Sequence, residues 1–384
     1  MLLRHSLLAF FALLPAFTPA QDLPFGGIKP AMQKFVDDGD LAGAVTLVGN
    51  KDGILNHEAV GQRDLADQSP MQKDALFRIA SMTKPITAIA IMILVDEGKL
   101  SPDDDVAKHL PEFANATLVG DKKPSRPLKV RDLLTHTGGL PNYPKEFAEI
   151  YMKRDRTLAE TSKTVATLPL QFEPGSKWAY CNSGIDTLGR IVEVVSGESF
   201  EAFLQKRVFD PLRMKDTAFY PSPEQMKRLA KTYNKKDGKL VLEMNLIGLP
   251  EKPTFPIPAG GLISCGADLA ELYRMMLNKG ELNGKRILSE KAVAEMTRTQ
   301  TGDIATGFVP GMSFGYGWAV VKEPKGVTAM MSAGTYGHGG AFGTQGWIDP
   351  KQDLFVILLI QRTGLSNADA SPMRQKLQEL AVKK

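Results

Sequence analysis

At 384 residues the chain is long enough to bury a large core, as one large domain or as two lobes, and it is not a small cross-linked scaffold. Its 47 basic and 43 acidic residues leave a formal net charge of +4, a mixed surface that gives no argument for nucleic acid or an anionic membrane as a partner. The densest basic stretch, Lys122-Lys123 through Arg126, Lys129 and Arg131, holds two prolines and no interleaved aromatic residue, and reads as a solvated loop.

Residues 1–20 read as a secretory signal: Arg4 and His5, an apolar run from Leu7 to Leu14, then small residues at Thr18 and Ala20 before Gln21. Pro15 and Pro19 interrupt the run before it reaches the length of a membrane span. The expectation is therefore an exported protein, periplasmic or secreted, with no membrane span after signal removal. Export implies an oxidising compartment. Only Cys181 and Cys265 are present to respond to it; one disulfide is open to them and none is required, and two lone cysteines read first as small buried side chains.

Met32, Phe35 and Val36 then mark a short amphipathic helix. Two strands are expected at Ala44 to Val48 and Ile54 to Ala59, joined through Asp52-Gly53 as a hairpin. The run Pro85 to Val95 is apolar on every side and too short to cross a bilayer, which predicts a buried core helix from Ser81 with its stop at Gly98. From about Leu100 to Gly302 the pattern is mainly helical; Ile185, Leu188, Val192 and Val195 follow a cap at Asn182 or Ser183. Strands return at Tyr316 to Val321, Thr328 to Ser332, Gly343 to Ile348 and Leu354 to Ile360, and a closing helix runs from about Ser371 to Val382. No internal repeat or low-complexity segment is evident. Strands at both ends with helices between predict an α+β (α/β) fold: one antiparallel sheet built from the N- and C-terminal segments, flanked by helices, with an inserted, mainly helical lobe. The expected division is a signal peptide at 1–20 and one catalytic domain at 21–384, made of an α/β lobe (21–100 plus 303–384) and a helical lobe (101–302), with a substrate groove between the lobes.

Three short elements carry the chemistry. Ser81-Met82-Thr83-Lys84 is the only Ser-x-x-Lys in the chain, and one helical turn puts its hydroxyl and amine on the same face. A serine hydroxyl is a poor nucleophile near neutral pH, whereas a neighbouring lysine kept neutral by burial can take its proton. The helix N-terminus adds a positive dipole end where negative charge will develop. Tyr180-Cys181-Asn182 falls in a loop between Glu173-Pro174-Gly175 and a helix. A phenol there can share a proton with Lys84 and Ser81, and the Asn182 amide can hold either a substrate oxygen or the lysine. In the third element, His338-Gly339-Gly340 within Tyr336 to Trp347, so many glycines in a strand-like segment imply a close approach to its backbone, by a substrate carbonyl or by another strand.

In this order the three elements resemble the serine β-lactamase and penicillin-binding family. The chain looks most like the class C β-lactamases, the D-alanyl-D-alanine peptidases related to them, and the β-lactamase-like (family VIII) carboxylesterases. The resemblance runs from about Ala31 to Gln361 and takes in Leu133-Leu-Thr-His-Thr-Gly-Gly-Leu140 and Pro258-Ala-Gly-Gly-Leu262. It implies Ser81 as the acylated nucleophile, Lys84 as its proton acceptor and Tyr180 as the acid and base for leaving group and water. It also implies Asn182, His338, Gly339 and Gly340 as substrate-binding residues, and the backbone N–H groups of Ser81 and Ala341 as the oxyanion hole. Class C enzymes place lysine where this chain has His338, and serine is the commoner residue where it has Cys181. A histidine, mostly neutral near pH 7, suits uncharged esters or amides better than substrates bearing a carboxylate.

Two further matches fail on context. Gly311-Met312-Ser313-Phe314-Gly315 fits Gly-x-Ser-x-Gly, but strand-like sequence follows where that motif needs a helix, and too little chain remains for its acid and histidine. His136-Thr137-Gly138 precedes Tyr180 rather than following it and reads as a helix stop with a structural histidine. No metal-ligand spacing is present, and neither metal nor other cofactor is expected. The expected activity is that of an exported serine hydrolase, foremost a carboxylesterase on short acyl esters, acting on a small-molecule ester or amide. The alternatives are a D-amino-acid peptidase or weak β-lactamase and, in another class, a non-catalytic penicillin-binding or peptidoglycan-sensing module.

Overall fold

The computed structural model describes residues 24–144, 149–243 and 247–382; the segment read as a signal lies outside them. Eight strands, β1 Gly43–Gly49, β2 Ile54–Asp64, β3 Ser69–Pro70, β4 Met312–Phe314, β5 Ala319–Val321, β6 Tyr336–Gly339, β7 Gln345–Asp349 and β8 Leu354–Leu359, form one sheet in the order β4-β5-β6-β7-β8-β1-β2-β3. Every neighbouring pair is antiparallel. The two ends of the chain meet where β1 lies beside β8, Val45 opposite Leu359 and Leu47 opposite Ile357.

The period-2 alternation of a strand decides what each face buries. Val45, Leu47, Ile357 and Leu359 face the main core with the helices α2 Thr83–Asp96 and α4 Gly266–Leu277. Ala44, Val48, Val356 and Leu358 face α1 Ile28–Asp37 and α5 Pro372–Val382, which bury Ile28, Met32, Met373 and Leu377. With helices over both faces, β1 and β8 are buried throughout and read as unbroken apolar runs.

Three sequence expectations change. Thr328 to Ser332 is not a strand. Gly326–Thr328 is a 3-10 turn, the Ser332 N–H donates to Asp349 Oδ2 at 2.7 Å, and β5 pairs directly with the glycine-rich β6, Ala319 opposite Gly337. A Cβ at Gly337 would strike the Trp347 ring and the Gly346 carbonyl, so the glycines permit a strand where propensity alone argues against one. The Ser81 helix begins later than expected: Ala80–Met82 is a 3-10 turn and α2 starts at Thr83, although its stop at Gly98 (φ +69°) is as expected. The helix α3, Asn182–Ser196, is capped by neither Asn182 nor Ser183. The Cys181 thiol accepts the Gly184 N–H at 3.4 Å, which gives the unusual middle residue of Tyr180-Cys181-Asn182 a local role. Among the described residues no helix is long and apolar enough to cross a membrane.

Candidate active site

The N-termini of α2 and α3 and the end of β6 converge on Ser81. Ala80 sits at φ +45°, a left-handed backbone that costs a non-glycine residue about 1 kcal/mol or more. The turn it makes holds Ser81 part-exposed while its neighbours Ala80 and Met82 are buried. Pro85 continues into α2 without loss, because a helix leaves its first N–H groups unpaired in any case.

Lys84 is fully buried, 0 % exposed. Its Nζ lies 3.1 Å from Ser81 Oγ, 2.7 Å from Asn182 Oδ1 and 2.7 Å from the Ala259 carbonyl oxygen. The Ala259 carbonyl arrives on a loop wedged between α2 and α3: Thr87 Oγ1 donates to the Pro258 carbonyl at 2.7 Å, and a side chain at Gly189 would collide with Pro258. Burial holds the Lys84 amine well below the ordinary lysine value of 10.5, against the opposing pull of Asp186. Asn182 Oδ1 and the Ala259 oxygen can only accept, so a neutral Lys84 gives its two hydrogens to them and turns its lone pair to Ser81.

Tyr180 stands over the same amine, its ring centroid 4.6 Å from Lys84 Nζ. Burial pushes the phenol far above its ordinary 10.0, partly offset by a hydrogen bond with Ser81. His136, read from sequence as a helix stop, follows the end of a short helix at Leu134, as expected, but it also braces Tyr180. Its ring is 4.6 Å from the Tyr180 ring, its carbonyl accepts the Ala179 N–H at 3.0 Å, and its Nδ1 accepts the Cys181 N–H at 3.2 Å. The residues on both sides of the phenol are thus tied to one histidine. The His-Thr-Gly motif is the only sequence signal for this, and its place in the chain order points away from the site.

His338 lies on β6, 4 % exposed. Its Nδ1 donates to the Gly339 carbonyl at 2.6 Å, which leaves Nε2 a bare acceptor with no partner among the described residues. Burial, helped by Lys84, lowers its pKa to about 3, so the ring is neutral throughout the working range. It borders a small pocket walled by Phe308, Val309, Met312, Phe314 and Trp347 and also by the charged residues Asp369 and Arg374. Gly339 and Gly340 are accounted for by protein packing: a Cβ at Gly339 would strike Asp369 and Gln345, and one at Gly340 would strike Thr344 Oγ1 and the Ile79 carbonyl. That contact seats Ala341 beside the Ser81 turn. The N–H groups of Ser81 and Ala341 have no acceptor among the described residues.

The rival residues lie elsewhere. Ser313 is buried on β4 with its Oγ 2.9 Å from Thr301 Oγ1. Cys181 and Cys265 are free and buried, the latter at the start of α4. Phe342, next to the glycine-rich strand, is fully buried in the core, and Tyr143 donates to Asp186 at 2.9 Å. Asp186 itself escapes sequence reasoning, since it sits inside an ordinary amphipathic helix pattern.

A serine and a buried lysine one turn apart, a facing tyrosine and a glycine-rich strand mark a serine hydrolase on a β-lactamase/transpeptidase-like fold. The family model for Beta-lactamase matches residues 28–380, and the chain belongs to that family. Esterase EstB of Burkholderia gladioli is 32% identical over 348 residues, 83% of this chain and 86% of EstB. An Escherichia coli K12 protein assigned provisionally to the D-alanyl-D-alanine carboxypeptidases is 31% identical over 325 residues, 78% of this chain and 70% of that protein. Among solved structures, EstCE1, described as a hydrolase with promiscuous acyltransferase activity, superposes with a TM-score of 0.80 at 26% identity over 94% of this chain and 98% of its own.

Proposed function

We propose that the protein is an exported carboxylesterase that hydrolyses small, uncharged esters through an acyl-Ser81 intermediate. The observation that carries the reading is Lys84: fully buried, held by two acceptors that leave its lone pair to Ser81, it is a ready base at neutral pH. Ser81 Oγ attacks the ester carbonyl carbon as its proton passes to Lys84. The Ser81 and Ala341 N–H groups hold the oxyanion. Collapse breaks the bond to the alcohol, whose oxygen takes the Tyr180 proton, and Tyr180 is reprotonated from the Lys84 ammonium. Water then attacks the acyl carbon, loses a proton to the same pair and releases the acid and free Ser81. An alcohol or amine in place of that water would give acyl transfer, a course supported by the acyltransferase activity described for EstCE1.

The neutral His338, which offers no fixed positive charge to a carboxylate, favours an uncharged substrate, and the relatives named as esterases favour an ester. A peptidase reading draws on the E. coli relative. The test is turnover of p-nitrophenyl butyrate, a chromogenic cephalosporin and a D-Ala-D-Ala peptide by the mature protein beside Ser81→Ala. The ester is expected to be the best substrate and Ser81→Ala inert; turnover of the peptide alone would favour the peptidase, and penicillin labelling without any turnover would favour a sensing module. Export rests on residues 1–20, and N-terminal sequencing of the mature protein is expected to begin at Gln21.

A further inference from the structure

Asp186 lies four residues after Asn182 on α3, and the i, i+4 spacing puts both on one face of the helix. It is 2 % exposed and its carboxylate is filled by three donors: Tyr151 OH at 2.7 Å and Tyr143 OH at 2.9 Å on Oδ2, and the Ala259 N–H at 2.8 Å on Oδ1. Ala259 is the residue whose carbonyl accepts from Lys84 Nζ. The face of α3 therefore reaches Lys84 twice, directly through Asn182 and through Ala259 from Asp186.

We propose that Asp186 is a positioning residue that sets the protonation of Lys84, its negative charge and its hold on the Ala259 carbonyl both favouring the lysine proton and so fixing the pH at which Ser81 acquires a base. A buried carboxylate without donors would take a proton and lose its charge; three donors keep this one available as an anion although burial raises its pKa. Both tyrosines are pushed well above their ordinary range, first by burial and then by Asp186 itself, so they remain donors. The other titratable groups that bear on Lys84 are neutral. The Cys181 thiol is pushed up by burial, Tyr180 likewise, and His136 and His338 are pushed down. Asp186 is left as the charge that opposes the desolvation of Lys84. Too little of that opposition and the lysine never carries the proton on to Tyr180; too much and it cannot take one from Ser81.

The inference rests on the acyl-Ser81 reading, and its test uses two readouts over pH 5 to 10, kcat/KM on p-nitrophenyl butyrate and the rate of Ser81 labelling by a fluorophosphonate probe. Asp186→Asn keeps an acceptor for Ala259 and removes the charge. The ascending acid limb of both profiles is expected to move to lower pH by about one unit, so that below the limb the variant reacts about tenfold faster than the parent. Tyr143→Phe, which removes one donor and disturbs packing less, is expected to move the limb in the same direction by less. Limbs that coincide with the parent's, or move to higher pH, overturn the proposal while leaving the acyl reading intact. A parent that neither turns over nor labels, or labelling that survives in Ser81→Ala, overturns the acyl reading and Asp186's role with it.

Discussion

The two sides of Ser81 are built on opposite plans. On the Lys84 side every polar atom is engaged: the amine meets Ser81, Asn182 and Ala259, and Ala259 leads on to Asp186 and its two tyrosines. On the His338 side the buried nitrogens Nε2 of His338, Nε2 of His136 and Nε1 of Trp178 have no partner among the described residues, and the walls are mainly aromatic, with Asp369 and Arg374 beside them. Saturation suits groups that exchange protons, since preorganised partners need not move as charge shifts. Unfilled polar atoms, the acceptor Nε2 of His338 and the donor N–H groups of His136 and Trp178, suit a region that waits for a ligand. The contrast teaches that the chemistry is set by a closed network and the choice of substrate by an open one.

Substitutions on the saturated side should be costly in rate. Ser81→Ala is expected to lower ester kcat by about 10⁴-fold or more, read in a p-nitrophenyl butyrate assay. Tyr180→Phe should cost about 10²- to 10⁴-fold, the range for a lost general acid, with little change in KM; a KM effect alone would move Tyr180 to the binding side of the comparison. Gly340→Ala joins the two sides, because its Cβ meets Thr344 and Ile79. It is expected to cost about 2 kcal/mol of stability by overpacking, measured as a lower Tm, and to weaken the oxyanion site with it. Substitution on the open side should change preference rather than rate. His338→Lys is expected to move the ratio of carboxylate-bearing to neutral substrates by about tenfold toward the former, and an unmoved ratio removes the charge argument for an ester substrate.

The histidines also give the open side its own pH signature. Their folded pKa values lie below the unfolded 6.5, so below that pH the unfolded chain binds protons that the native state refuses. Native stability is then full above about pH 6.5 and is lost as pH falls through that value toward 3. Tm measured from pH 7 to pH 4 should fall, and His136→Asn should flatten the fall.

What the sequence allowed to be read follows the same division. The sheet joining both chain ends and the buried α2 were legible because alternation and an all-round apolar run are local signals, as were Ser81, Lys84, Tyr180 and Asn182 through their motifs. Thr328 to Ser332, which holds one β-branched residue, misled because a short run bounded by turn residues reads as a strand, whereas in the fold the strand falls on the glycine-rich Tyr336–Gly339, where the Trp347 ring and Gly346 carbonyl leave room only for Gly337. Cys181 as a helix cap was outside the usual capping set. Asp186 and His136 were invisible as site residues because their contacts reach Ala259 and Tyr180, 73 and 44 positions away in sequence, and no spacing rule links such positions.

The central claim is that an acyl group rests on Ser81 during turnover. Tyr180→Phe mixed with p-nitrophenyl butyrate, quenched in acid and mapped by peptide mass, should carry one butyryl group on the peptide containing Ser81. A butyryl group on any other residue, Ser313 included, or release of nitrophenol in full turnover with Ser81 never modified, would contradict the account.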